Sequence, residues 1–315
     1  MVKSKKTTGL IMACTAALAW STFGTFSTLL SGYGLSEGTI SLISPLFLLV
    51  GFTIVAIISS GIGSMKIPRK ALVFLFLDGG CSALYNYACV QAYANLPIGI
   101  VSTVIYCNLF ALIFICRIVF KDPITRQKLL AVGMALIGVM MVVNVFGAGS
   151  EGSITAKGLI WAFLAMLAWA GLMTNEKLVM DRGGDPNAVC AYEGLFSVII
   201  IGIASSPVAV AHNLSDVFIS SGGMVLLPIL GFGLISTMTA YFFYMHALDR
   251  VVPTYVQICY TLDPAVSCLL GLIVFGQVLA PIQIVGIIVV LVTVIWLQIY
   301  ENKRESQIAK AKAAE

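Results

Sequence analysis

One twelve-residue stretch is written twice in this chain, and the repetition constrains the fold more than any other feature. Gly9-Leu10-Ile11-Met12-Ala13-Cys14-Thr15-Ala16-Ala17-Leu18-Ala19-Trp20 returns as Gly158-Leu159-Ile160-Trp161-Ala162-Phe163-Leu164-Ala165-Met166-Leu167-Ala168-Trp169. Eight of the twelve positions are identical and the copies lie 149 residues apart in a chain of 315. Both copies are apolar and open a stretch long enough to cross a bilayer. Membrane helices repeated in two halves are the mark of secondary transporters built by duplication.

The rest of the sequence extends that pattern. Apolar residues make up 59% of the chain and charged ones 10%, more apolar surface than a water-soluble protein can hide, so the solvent is lipid. Windows of about 20 apolar residues, the length that spans a bilayer, fall at 8–30, 38–59, 71–94, 97–119, 128–147, 157–179, 187–205, 224–247, 252–275 and 280–300. These spans, numbered 1 to 10, predict an all-α polytopic membrane protein with tight turns and no soluble domain. Alternating ten-residue strands of a barrel are absent. Lys3, Lys5 and Lys6 followed by Ala17-Leu18-Ala19 resemble a cleavable signal, but the apolar run continues to Leu30 and is read as a retained first span. The eight cysteines lie in apolar runs without metal-ligand spacing and read as packing residues. No metal or cofactor is expected, and no basic stretch interleaved with aromatics points to nucleic acid.

Charge sets the orientation. With the N-terminus in the cytoplasm, 17 of the 18 Lys and Arg residues fall on the inner side and only Lys157 outside, as the positive-inside rule requires. Both termini are then cytoplasmic. Five spans per half make the halves run in opposite directions, an inverted repeat. The predicted organisation is a first repeat at 1–147, an outside linker at 148–156, a second repeat at 157–300 and a charged cytoplasmic tail at 301–315. The linker carries the flexible Gly147-Ala148-Gly149-Ser150-Glu151-Gly152-Ser153. The tail reads as a solvated end, with a resting place on the anionic inner leaflet as the alternative. Spans 5 and 10 either pair between two copies, giving a homodimer, or face lipid.

With these spans and this duplication, the chain resembles the drug/metabolite transporter superfamily, specifically its EamA-type members. The likeness is carried by Leu18-Ala19-Trp20 with Leu167-Ala168-Trp169, and by Asp263-Pro264-Ala265 followed by Phe275-Gly276-Gln277-Val278-Leu279-Ala280-Pro281-Ile282-Gln283-Ile284-Val285-Gly286. Gln277 stands where the family carries Glu, and Ala280 where it carries Thr. The first half offers Asn108-Leu109-Phe110-Ala111 and Phe120-Lys121-Asp122-Pro123-Ile124-Thr125 in corresponding places. There Leu109 replaces the Pro and Asp122 the Glu, and a constant offset of 155 pairs Asn108 with Asp263. The resemblance implies a central cavity, alternating access, and export or exchange of small metabolites.

Ionisable groups inside a bilayer are costly and default to function. Asp263 lies halfway along span 9, directly before the helix-breaking Pro264, with Tyr260 at i−3 and Ser267 at i+4. It reads as a substrate-amine or proton site, against the alternative of a buried acid bonded to a neighbouring helix. Asp78 precedes Gly79-Gly80 in span 3, with Ser82, Tyr85, Asn86 and Cys89 continuing its face. A coupling or inner-gate carboxylate and a structural pair with an inner-loop cation are equally open there. Glu193, in span 7, faces the side of Lys177 and Arg182, which favours a salt bridge over a coupling role. His246 closes span 8, as an interfacial histidine rather than a titrating switch. Asn175 and Glu176 read as inner-gate groups. Trp20 and Trp169 sit at mid-depth rather than at the interfaces. With Tyr85, Asn86, Asn108, Tyr244, Tyr260 and Asp263 they are expected to line a solute cavity, with Tyr106, Tyr241 and Tyr255 as further ring candidates; the alternative for the rings is ordinary helix packing.

The function these residues favour is a multi-pass carrier of the plasma membrane for small organic solutes such as amino acids or amphipathic drugs, with protons as candidate coupling ions. No Walker A loop is present to drive it with ATP. An intramembrane enzyme using Asp78 and Asp263 is the rival from another class, but the Gly-x-Gly-Asp of an aspartyl protease is replaced by Thr261-Leu262-Asp263. A channel is weaker still, for no filter sequence is visible.

Overall fold

A computed structural model describes residues 2–119, 125–142, 154–248, 259–260 and 262–314. Several expectations fall outside those residues: most of the linker, Phe120 to Ile124 with Asp122, Asp249, Arg250, Tyr255 and the first part of span 9.

The described residues fold into helices α1 (Val2–Ser21), α2 (Phe23–Gly32), α3 (Glu37–Phe47), α4 (Thr53–Ser60), α5 (Leu72–Tyr93), α6 (Ile98–Tyr106), α7 (Asn108–Val119) and α8 (Arg126–Val142) in the first half. The second half holds α9 (Ala156–Met180), α10 (Pro186–Ser205), α11 (Pro207–Ser220), α12 (Leu226–Leu230), α13 (Ala240–Leu248), α14 (Leu262–Phe275) and α15 (Pro281–Ala314). Among the described residues, five continuous helical segments are long and apolar enough to cross a membrane: Glu37–Ser60, Arg69–Tyr93, Ala156–Met180, Pro186–Ser205 and Leu226–Ala247. The protein is a polytopic membrane protein, because backbone groups in lipid must bond within their own helix.

Local chemistry explains the ends. Asp185 accepts from the backbone N–H groups of Asn187 (2.9 Å) and Ala188 (3.1 Å), with Pro186 in the first turn of α10. Thr155 caps α9 through the N–H of Gly158 and donates to the carbonyl of Asn95, joining the two halves of the chain. Wide π turns occupy Leu48–Phe52 and Gly231–Thr239. The first follows Pro45, which withholds a backbone donor. In the second, Thr237 and Thr239 donate to carbonyls five residues back.

The α5–α9 pair forms the centre of the bundle, with α10 laid on α5 and α3, and α1 on α13 and α14. Glycines allow the close crossings. A Cβ on Gly79 would strike the side chain of Phe196, and one on Gly194 would strike the backbone of Leu49 and Pro45.

One feature differs from the sequence reading. The segment after span 7, expected to be a turn, is helix α11. Its His212, Asn213 and Asp216 lower its hydropathy, and Asn213 ties it to the α2–α3 turn through Ser36 N (2.8 Å), Thr39 Oγ1 (2.9 Å) and the Gly34 carbonyl (3.1 Å). Spans 5 and 10 pack on each other within one chain, as α8 against α15. There Gly138 approaches the Gly286 carbonyl so closely that a Cβ would lie 3.1 Å from it. The charged tail continues α15 as helix to Ala314.

Candidate functional site

The repeated tryptophans meet. Trp20 of α1 and Trp169 of α9 touch edge to face, with ring centroids 5.6 Å apart. Trp20 also contacts the rings of Tyr241 (5.4 Å), Tyr244 (5.5 Å) and Tyr260 (5.2 Å), while Tyr85 lies against Trp169 at 4.8 Å. Each such pair is worth about 0.5–1.5 kcal/mol beyond the area it buries, so the cluster is a firm layer rather than a set of loose rings.

A cavity opens beside this layer. Trp20, Phe23, Tyr85, Tyr93, Ser102, Tyr106, Asn108, Trp169, Tyr260 and Asp263 line it, with Ala17 and Ile105. The void measures about 590 Å³ with its opening included. The centres of water-sized molecules have about 40 Å³ of it to occupy, a few waters' worth, so the aromatic walls must part before an organic solute is seated. Larger grooves beside Val104 and Phe114 and beside Leu269 and Leu291 have almost wholly apolar walls and offer no recognition chemistry.

Two short helices begin at this cavity. Asn108 opens α7 after the break at Cys107, and Asp263 is the second residue of α14. Pro264 sits in the first turn of α14, where its missing N–H costs nothing. Unpaired N–H groups and the helix dipole give such ends partial positive charge. Asp263 is half-buried and its Oδ1 accepts from Ser267 Oγ at 2.9 Å, on its own helix; Ser267 also lies 3.3 Å from the Ser21 carbonyl. The Tyr260 hydroxyl is buried and without a hydrogen-bond partner. The cavity thus presents a carboxyl group, a free phenol, an amide and two helix starts within an aromatic wall.

Asn86 and Tyr244, expected in the cavity, do not line it. Asn86 donates to the Ser82 carbonyl at 2.9 Å, and Tyr244 donates to Glu176 Oε2 at 3.4 Å. Glu193 departs from its expected salt bridge. It is fully buried, and its Oε1 accepts from Ser82 Oγ (2.7 Å) and Tyr241 Oη (3.0 Å). The cations named for it are engaged elsewhere: Lys177 with Asp181 at 3.4 Å, Arg182 with the Leu178 carbonyl at 2.7 Å and over the Phe74 ring. Among the described residues Asp78 likewise has no paired cation, and both its oxygens are buried without a hydrogen-bond partner. His246 stacks on Phe242 at 4.1 Å with Nδ1 2.9 Å from the Phe242 carbonyl, away from the cavity.

Asp263 lines the cavity, and Asp78 is not among its lining residues. Sequence reasoning missed one positioning residue. Gln277 Oε1 accepts from the Ile98 N–H at 3.1 Å and caps α6, which forms part of the cavity wall. Only its departure from the family pattern marked it, and an amide oxygen fills the acceptor role a carboxylate would.

Comparison with known proteins agrees with this architecture. The profile of the EamA-like transporter family matches residues 156–298. A probable amino-acid metabolite efflux pump of Salmonella typhimurium is 21% identical over 253 residues, covering 78% of this chain and 83% of that one. A crystal structure of 16% identity superposes with a TM-score of 0.58, covering 95% of this chain and 99% of that one. The long apolar helices define a polytopic membrane protein. The second half of the chain is similar to the EamA-like transporter family, whose profile matches 143 of the 315 residues.

Proposed function

We propose that this protein is a secondary carrier that exports amino acids and related small amphipathic metabolites by alternating access between two inverted five-helix repeats, 1–147 and 157–300. The observation that carries the reading is the cavity where Asp263 and the unpartnered Tyr260 hydroxyl face Asn108 inside the Trp20–Trp169 wall. A zwitterion suits those groups. Its ammonium pairs with Asp263, its carboxylate lies toward the starts of α7 and α14, and its side chain meets aromatic rings. The activity in the name of the Salmonella relative supports the same solute class. The charge asymmetry of the loops supports a plasma-membrane protein with both termini inside.

The test is uptake and efflux of a labelled amino-acid panel in proteoliposomes, with wild type beside Asp263→Asn. Saturable, solute-specific flux that collapses in the variant is the expected result. Absence of flux for every amino acid and amphipathic cation tried overturns the carrier reading. Flux equal in both proteins keeps the carrier and removes Asp263 from its solute site.

A further inference from the structure

We propose that Asp78, Glu176 and Glu193 form a proton-binding station, separate from the solute cavity at Asp263, whose loading is passed through Tyr241 and Tyr244 to Trp20. The proposal rests on the carrier reading above and names how that carrier is driven.

The three acids come from α5, α9 and α10, with exposures of 0%, 1% and 0%. Asp78 stands within electrostatic reach of both glutamates. Close crossings hold them together. Gly79 follows Asp78 against Phe196, the Ser197 hydroxyl donates to the Gly79 carbonyl at 3.2 Å, and Gly194 follows Glu193 against the α3 backbone. A second, independent observation points to a missing ligand. Both oxygens of Asp78, Oε1 of Glu176 and Oε2 of Glu193 are buried acceptors with no donor.

Among the described residues, the groups around them supply no compensating charge. Cys81 and Ser82 of α5, Asn175 of α9, Cys190 of α10, Tyr241 and Tyr244 of α13 and Tyr260 are neutral donors. Asp185, at the start of α10, adds further negative charge near Cys190. The π turn at Leu48–Phe52 brings only apolar side chains and Gly51. Lys66, Arg69 and Lys70 are exposed, and Lys177 and Arg182 are bonded elsewhere.

Several like charges in a low dielectric repel strongly and cost several kcal/mol each to desolvate, so the cluster must hold positive charge to exist as packed. Among the described residues no three Asp, Glu, His or Cys side chains converge closely enough to hold a metal ion. A proton meets the need: taken from water onto one carboxyl oxygen, it cancels a charge and supplies the absent donor.

The readout is built in. Tyr241 donates to Glu193, Tyr244 to Glu176, and both rings bear on Trp20, which walls the solute cavity. Hydrogen bonds to an ionised acceptor are roughly twice as strong as neutral ones. Loading therefore loosens the two phenols and unloading tightens them, and Trp20 follows.

The test titrates the purified full-length protein in detergent with acid while reading tryptophan emission, Trp20→Phe being used to isolate the Trp20 contribution. The expected result is a reversible change in wild type that is lost in Asp78→Asn/Glu193→Gln and kept in Asp263→Asn. Asp78→Asn alone, which breaks no hydrogen bond, shifts the midpoint by about one pH unit or more, a tenfold change in proton affinity. A titration absent from wild type, unchanged in the double variant, or lost in Asp263→Asn overturns the proposal. Wild-type solute flux is measured separately, so failure of the proton station and failure of the carrier reading are told apart.

Discussion

The indole rings of Trp20 and Trp169 meet edge to face at 5.6 Å with 85° between their planes. They hold equivalent places in the two copies of the repeated sequence, and both line the cavity. Trp20 bears the greater share, with four aromatic neighbours. Trp20→Ala should lower stability by about 3 kcal/mol and abolish solute retention, while Trp20→Phe keeps most of the stability. Thermal unfolding in detergent, followed with a thiol-reactive dye, checks this because Cys89, Cys107 and Cys190 are buried thiols outside any disulfide.

Gly79 and Gly80 are neighbours in α5 with opposite surroundings. A Cβ on Gly79 meets Phe196, whereas one on Gly80 meets nothing within 4 Å. Gly79→Ala is expected to cost about 1–3 kcal/mol through overpacking. Gly80→Ala should be neutral or gain up to about 1 kcal/mol from helix propensity. Equal melting temperatures for the two variants would contradict the α5–α10 crossing.

Glu193 is the acceptor for two buried hydroxyls. Glu193→Ala strands Ser82 and Tyr241 and should cost about 1–3 kcal/mol, while Glu193→Gln keeps an acceptor oxygen and most of the stability. The salt-bridge alternative predicts instead that Lys177→Ala and Arg182→Ala are as harmful as Glu193→Ala. Melting curves of these four variants decide between them.

Gln277 holds the start of α6 by accepting from Ile98 N–H, and Gly276 before it has φ +65. Gln277→Ala should cost about 1 kcal/mol, the ordinary worth of a helix cap. Gln277→Glu restores the acceptor and should recover it. A shift in solute affinity accompanying the alanine variant alone would show that α6 sets the cavity wall.

Much of this was legible before any coordinates. Hydropathy gave the all-helical membrane class because lipid offers no partner for an open backbone, so spanning segments must be long, apolar and helical. The duplicated Leu-Ala-Trp pointed to Trp20 and Trp169, and the polar pair Asn108 and Asp263 stood out in apolar surroundings. Helix α11 escaped because an amphipathic segment with His212, Asn213 and Asp216 has no bilayer-length apolar run.

Sequence by itself determined the helical membrane class and marked the ionisable residues that a bilayer makes costly. Only the tertiary structure decided partners. Asp78, Glu176 and Glu193 lie on three different helices, and nothing in local periodicity says that they share one buried space. Lys177 and Arg182 are near Glu193 along the chain, yet the close crossings at Gly79 and Gly194 turn that carboxyl inward to Ser82 and Tyr241. Hydropathy is a property of each segment against lipid. Pairing is a property of which helices can approach closely enough to touch, and that depends on side chains contributed from across the whole chain.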